Sequence, residues 1–257
     1  MAKAKTFDAI IIGAGVIGCA LALELTRLGR KTMSVDMLPA AGYGSTSNSC
    51  AIIRVHFSTL DGTAFAYDGY FYWKQWHDYL GHQGGDNLAS FRETGCLVMK
   101  TDSNNHLKKV VANAEALSIP HEHWDAKEII HRVPCYNLRC YGPPKQMNDP
   151  AFGEPSGGEI TGGVFFPTAG YVNDPQLAAQ NIQAAAHANG AHFLFRRKII
   201  EIPVSNNRVQ GVVLDDGTRI SAPVVVNVGG PHSAKLNQLA GADAGMKIST
   251  RALRQEV

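Results

Sequence analysis

Two hydrophobic periods alternate along this chain. Residues 8–12 form a short, β-branched, nearly uninterrupted apolar run, the pattern of a strand buried on both faces. Glycines follow at 13, 15 and 18, and the apolar, Ala-rich residues 16–28 then predict a helix stopped by Gly29. A second apolar run, residues 31–35, ends in Asp36. Strand, helix and strand within thirty residues predict a βαβ unit, and with it a doubly wound α/β fold.

Farther along, residues 62–80 carry Phe65, Trp73, Trp76 and Leu80 at near-helical spacing, and Asp61 is placed to cap them. These aromatics are expected to bury a helical stripe. Residues 93–100 read as a strand, and residues 106–117 as a helix with Leu107, Val110, Val111, Ala114 and Leu117 on one face. Asp125 and Glu128 open a short helix that ends before Pro134. Residues 142–163, rich in Gly and Pro, predict a long surface loop. Strand character returns at 164–174, then Asp174-Pro175 opens an Ala-rich helix to Asn189, stopped by Gly190. Strands are expected at 192–204, 208–214 and 219–228, turned at Asn206-Asn207 and Asp216-Gly217.

Glycine placement gives the first βαβ unit its chemistry. Gly13 permits a tight turn, Gly15 lets a pyrophosphate approach the backbone, and Gly18 lets helix and strand pack closely. The helix start offers unpaired N–H groups and the positive dipole end to a phosphate. Asp36, eighteen residues beyond Gly18, is placed to accept hydrogen bonds from a ribose. The positively charged start, Lys3 and Lys5 before an apolar run, is not read as an export signal. Glu24, Arg27 and Arg30 follow without a small-residue cleavage site.

The 257 residues are 45% hydrophobic and 18% charged, with a net charge of +2. That composition suits a soluble globular chain, and scattered Lys and Arg give nucleic-acid binding no support. No apolar stretch reaches the length of a membrane span. Cys19, Cys50, Cys96, Cys135 and Cys140 fit no zinc spacing and are expected as reduced cytoplasmic thiols. His121 and His123 are expected to be structural or solvated, and no metal is expected.

Residues 42–49 are small, glycine-rich and hydroxylic. Such a stretch can wrap a phosphate or lie against a flat ring, and serves equally well as a plain polar loop. Its sequence, Gly-Ser-Thr-Ser-Asn-Ser, is followed by Ile52-Ile53-Arg54 and comes after the glycine fingerprint and Asp36. Together these resemble the D-amino-acid-oxidase superfamily of flavoproteins, above all the sarcosine oxidase and dehydrogenase branch of β-subunit type. The later G-Y-V-x-D-P, Ala-rich helix and V-V-x-N-V-G-G follow the same pattern.

The resemblance implies FAD as cofactor. It implies that Gly13, Ala14, Gly15, Val16, Ile17 and Gly18 hold the pyrophosphate, Asp36 and Met37 the adenosine end, and that Ser45, Thr46, Ser47 and Asn48 help hold FAD in a segment that contacts the pyrophosphate and approaches the isoalloxazine. Ile199, beside Lys198, would offer backbone to the adenine, and Val228, Gly229 and Gly230 would pass close to the cofactor. Arg54 would pair with a substrate carboxylate, a role suited to a planar guanidinium, with a structural salt bridge as the competing reading. Asn48 stands where a covalent histidyl linkage would need His, so no covalent bond is expected from this loop. Ala51 replaces a basic residue of some sarcosine oxidases. His232 is expected to be structural.

The implied architecture is a Rossmann-like FAD-binding domain of glutathione-reductase type with an inserted α+β substrate domain. Residues 1–82 and 164–246 are expected to form the first domain and 83–163 part of the second, with 247–257 beginning a further strand. Members of the family continue past this point, so the chain is expected to be an N-terminal fragment with the C-terminal part missing. The implied activity is oxidation of the C–N bond of a small amine or an N-methylated or secondary amino acid by hydride transfer to flavin. The electron acceptor, oxygen or a carrier, is left open, as is a hetero-oligomer. The competing readings are an NAD-dependent dehydrogenase and a non-catalytic FAD-binding or assembly chain.

Overall fold

The structure is a computed structural model, and it describes residues 6–81 and 83–242. The expected strand at 247–257 lies outside the described residues, as do 243–246 of the second FAD-domain segment. In chain order the elements begin with β1 Ala9–Ile12, α1 Val16–Arg27, β2 Thr32–Val35, β3 Ile52–Ile53, α2 Leu60–Lys74 and α3 Trp76–Tyr79. There follow β4 Phe91–Arg92, β5 Cys96–Met99, α4 Lys108–Ala116, β6 Glu122–Asp125, α5 Ala126–Arg132, β7 Gly162–Phe166 and β8 Gly170–Val172. Then come α6 Pro175–Ala188, β9 His192–Leu194, β10 Ile199–Glu201, β11 Val204–Ser205, β12 Arg208–Val209, β13 Gly211–Leu214, β14 Arg219–Ser221, β15 Val224–Asn227 and α7 Ser233–Leu239.

The chain forms two compact units. The first contains the described residues of Met1–Ala51, Gln75–Ser90 and Val172–Val257, the second Ile52–Lys74 and Phe91–Tyr171. The divisions therefore fall at 51/52, 74/75, 90/91 and 171/172, not at the 82/83 and 163/164 read from sequence.

The first unit is built on a parallel sheet ordered β15-β1-β2-β9. All four residues of β1 and of β2 are buried, as strands covered on both faces must be. One face meets an antiparallel sheet ordered β10-β13-β14. Ile10, Ile12, Met33 and Val35 point there and pack with Ile199, Ile202, Val212, Leu214 and Ile220. By strand alternation Ala9 and Ile11 face the other way. Helix α1 packs on α6, where Ala178, Ala179, Ala185 and Ala186 are buried. Small side chains permit that close approach. Asp174 caps α6 by accepting the Leu177 N–H at 2.8 Å, with Pro175 at the first helical position.

The second unit holds an antiparallel sheet ordered β5-β7-β6. Val164 and Phe166 of β7 are fully buried with Val55, Tyr70, Leu107, Ala114 and Ile119. Val110, Val111 and Leu117 pack against the same cluster, so the predicted face of α4 is the buried one. Asp125 caps α5 through the Glu128 N–H at 2.8 Å.

Five local expectations are corrected. Thr59 rather than Asp61 caps α2: its hydroxyl accepts the Gly62 N–H at 3.3 Å, while Asp61 lies inside the first turn. The aromatic stripe does not exist as one face. Phe65 is 84% exposed, and the helix breaks at Gln75 (φ −107°, ψ 42°), so Trp76 and Leu80 are buried in a separate turn. Residues 192–204 are not one strand. The backbone turns left-handed at Arg196 (φ 58°), and β9, β10 and β11 belong to three different sheets. Residues 219–228 likewise divide around Ala222-Pro223, because Pro has no N–H to continue a ladder. The expected loop at 142–163 ends two residues early, since Gly162 and Gly163 begin β7.

Candidate functional site

The turn from β1 into α1 has no room for side chains. Gly13 adopts φ 113°, and a Cβ there would lie 2.5 Å from the Val228 carbonyl oxygen. A Cβ on Gly18 would lie 2.0 Å from the Gly13 carbonyl oxygen. Only glycine satisfies both positions, so β1, β15 and α1 meet at backbone contact distance. The Val228 N–H bonds the Ile12 carbonyl at 3.0 Å and continues the sheet to that point.

Around this turn, three segments converge on Ala14. Its N–H donates to Asp36 Oδ2 at 2.7 Å, and Asp36 Oδ1 accepts the Leu38 N–H at 2.9 Å. The Ala14 carbonyl accepts the Gly42 N–H at 2.9 Å and the Cys19 thiol at 3.4 Å. Burial, then the nearby Asp36 charge, pushes the Cys19 thiol up to about 12, which makes it an inert donor and not a nucleophile. Gly42 (φ 80°) lies against Gln176 and Ala179, where a Cβ would come within 3.2 Å of Gln176 backbone.

The helix N-cap, Gly15, has no side chain to offer α1. Thr46 supplies the missing group: its Oγ1 accepts the Val16 N–H at 3.1 Å. Ser47 Oγ and Asn48 Nδ2 both donate to the Gly44 carbonyl at 3.0 Å, folding residues 42–49 on themselves. Ser45 and Asn48 are exposed, as are Ile17 (69%) and Met37 (51%). Large apolar side chains exposed beside a helix start, next to a bare glycine turn, suit a ligand that brings its own rings.

Arg54, Ile199, Gly229 and Gly230 are not part of this cluster in the same way. Ile199 pairs with Leu214 and its side chain is buried, so it can offer a ligand only backbone. Gly230 (φ 55°) and Gly229 make the turn into α7, and a Cβ on Gly229 would meet Leu236 at 2.4 Å. The close approach at this strand end is made by Val228 instead. His232 is exposed. Arg54 follows β3 in the second unit, exposed, with its guanidinium carbon 4.5 Å from the Phe57 ring centre. No carboxylate among the described residues pairs with it, so the structural salt bridge is not formed there.

Sequence reading missed His56, whose isolated position gave no signal. It is 9% exposed, stacks on Phe166 at 4.7 Å, and its Nδ1 has no partner. Burial first, then the Arg54 charge, lowers its pKa to about 4. His121 and His123 stand 5.6 Å apart edge to face, and no group of metal-binding side chains occurs among the described residues. All five cysteines are free thiols. No described helix is long and apolar enough to cross a membrane.

The sequence model of the family described as DAO, FAD dependent oxidoreductase, matches residues 8–257. This chain belongs to that family. FAD is therefore its family's cofactor, which overturns the NAD-dependent reading. Over 140 residues the chain is 30% identical to the peroxisomal sarcosine oxidase of Homo sapiens, covering 54% of this chain and 34% of that protein. Among solved structures, L-proline dehydrogenase from P.horikoshii matches with a TM-score of 0.74 at 22% identity, over 93% of this chain and 57% of that one. Glycine oxidase from Geobacillus kaustophilus matches with a TM-score of 0.72 at 19% identity, over 92% and 59%. These likenesses establish the fold: a Rossmann-like FAD-binding arrangement with an α+β insertion. The chain spans less than two thirds of each of these relatives.

Proposed function

We propose that the first unit binds FAD at the Gly13–Gly18 turn and that the protein serves oxidation of a small amino acid or amine at its C–N bond. The observation that carries the reading is the side-chain-free turn with Asp36 bonded across it at 2.7 Å. The residues suit the cofactor: the α1 start offers N–H groups and a positive dipole end to the diphosphate. Asp36 retains lone pairs beyond its two backbone bonds and can accept from ribose hydroxyls. Thr46, while accepting from Val16, keeps its own O–H proton to donate to a phosphate oxygen. Met37 and Ser45 line the exposed rim, and Ile199 offers backbone to the adenine.

Bound FAD would supply the acceptor for a hydride from the carbon next to nitrogen, leaving an imine that water hydrolyses. Arg54 is proposed to hold the substrate carboxylate, and its exposed guanidinium with no carboxylate partner among the described residues supports that role. The second unit is read as substrate-side, and a sarcosine-like substrate is supported by the 30% identity to a sarcosine oxidase. Five free thiols suit a reducing, cytoplasmic setting.

The test is direct. Purified chain mixed with FAD should turn yellow and retain the colour through gel filtration, whereas NAD should not be retained. Anaerobic addition of N-methylated amino acids should then bleach the visible band. A colourless chain removes the FAD site. A yellow chain that no amine bleaches, and that shows no turnover with an artificial acceptor, leaves a binding chain without catalysis.

A further inference from the structure

Residues 194–197 are drawn alongside the end of β2 after the sheet itself has stopped. The Asp36 N–H bonds the Leu194 carbonyl at 3.0 Å, the Arg196 N–H bonds the Leu38 carbonyl at 3.1 Å, and the Arg197 N–H bonds the Asp36 carbonyl at 3.1 Å. This places two arginines at the carboxyl ends of parallel strands, where ligands of open α/β sheets bind. They are not equivalent. Arg197 is held by Asp216 at 3.0 Å and Asp215 at 3.8 Å. Arg196 is exposed, and no carboxylate, carbonyl or ring among the described residues engages its guanidinium.

The backbone at Arg196 is also unusual, with φ 58°, a region that a long side chain seldom adopts. Such a conformation persists only where its surroundings enforce it, and here three hydrogen bonds to residues 36–38 do so. The backbone of Arg196 is thus held at the same strand ends as Asp36, and its exposed side chain starts from there.

We propose that Arg196 is a further cofactor-binding residue, contacting the adenosine half of the dinucleotide through its guanidinium plane. A delocalised, weakly hydrated cation stacks on a flat aromatic base, which Lys does less well. This rests on the reading of the Gly13–Gly18 turn as an FAD site.

The experiment compares affinities of the whole chain for FAD and for FMN, which lacks adenosine, by fluorescence titration. Arg196→Asn is the variant of choice because Asn tolerates positive φ, and circular dichroism checks its fold. FAD affinity should fall roughly 2- to 30-fold, the range a cation over a ring supplies. FMN affinity should not move, and Arg196→Lys should lie between. Unchanged FAD affinity in Arg196→Asn, or an equal fall for FAD and FMN, overturns the role of Arg196 alone. A wild-type chain that binds no FAD overturns the underlying site as well.

Discussion

The Thr46 hydroxyl accepts the Val16 N–H at 3.1 Å, and so caps in trans a helix whose own N-cap, Gly15, has nothing to give. The loop of residues 42–49 is thereby tied to the start of α1 by the same side chain that is proposed to meet phosphate. Thr46→Val keeps the shape and removes the acceptor. Loss of a cap costs about 0.5–2 kcal/mol, so the melting temperature should fall by roughly 1–8 °C. FAD affinity should fall with it, and Thr46→Ser should restore both. A Thr46→Val protein that melts and binds as wild type would show the bond to be idle.

The glycines make opposite predictions depending on what surrounds them. Gly18→Ala forces a Cβ to 2.0 Å from the Gly13 carbonyl, which is backbone and cannot swing aside. Overpacking of this kind costs about 1–3 kcal/mol or more, and FAD binding should be lost. Gly69, in the middle of α2, has ordinary φ and nothing within 4 Å of its missing Cβ. Gly69→Ala should therefore stabilise the chain by about 0.5–1 kcal/mol. Denaturant titration of both variants checks the contrast, and a destabilised Gly69→Ala would contradict the packing described.

Much of this was legible because local signals and tertiary packing agree. The β1–α1–β2 unit follows from an apolar run, three glycines and an acid in sequence. The caps Asp125 and Asp174, and the Asn206-Asn207 turn with φ 51° and 57°, obey rules that act within a few residues. What escaped depends on partners far along the chain. The division of residues 192–204 among three sheets is set by pairing with β2, β13 and β12, which no local period reveals. The break of α2 at Gln75 coincides with a change of compact unit. The capping of α1 by Thr46 joins positions thirty residues apart. The free state of Arg196 became visible only once Arg197 was seen to take both nearby aspartates.

His56 should make stability depend on pH. Its folded pKa, about 4, lies below the usual 6.5, so the unfolded chain binds more protons between those values. The full contribution is present above about pH 6.5, and it is lost as pH falls from there toward 4. The upper bound of the effect is about 3 kcal/mol. His56→Phe keeps the stack on Phe166 and abolishes the titration, so its stability should be flatter over that window. It also removes the unpartnered Nδ1. Denaturation midpoints of both proteins at pH 7.5 and 4.5 measure this, and parallel curves would mean that His56 titrates normally.

Arg54 separates recognition from chemistry. If the guanidinium grips a substrate carboxylate, its loss removes binding that ground and transition states share, and KM rises while kcat changes less. Arg54→Met in an active preparation should raise KM for carboxylate substrates roughly 100-fold, about the 2–3 kcal/mol of a charge-assisted pair. Arg54→Lys should recover part of that, because a point charge replaces a two-pronged donor. The decisive comparison is an amine of similar size without a carboxylate. It has nothing for Arg54 to hold, so its KM should be the same in wild type and variant. A loss shared equally by both substrates would reassign Arg54, with its 4.5 Å contact to Phe57, to shaping the second unit.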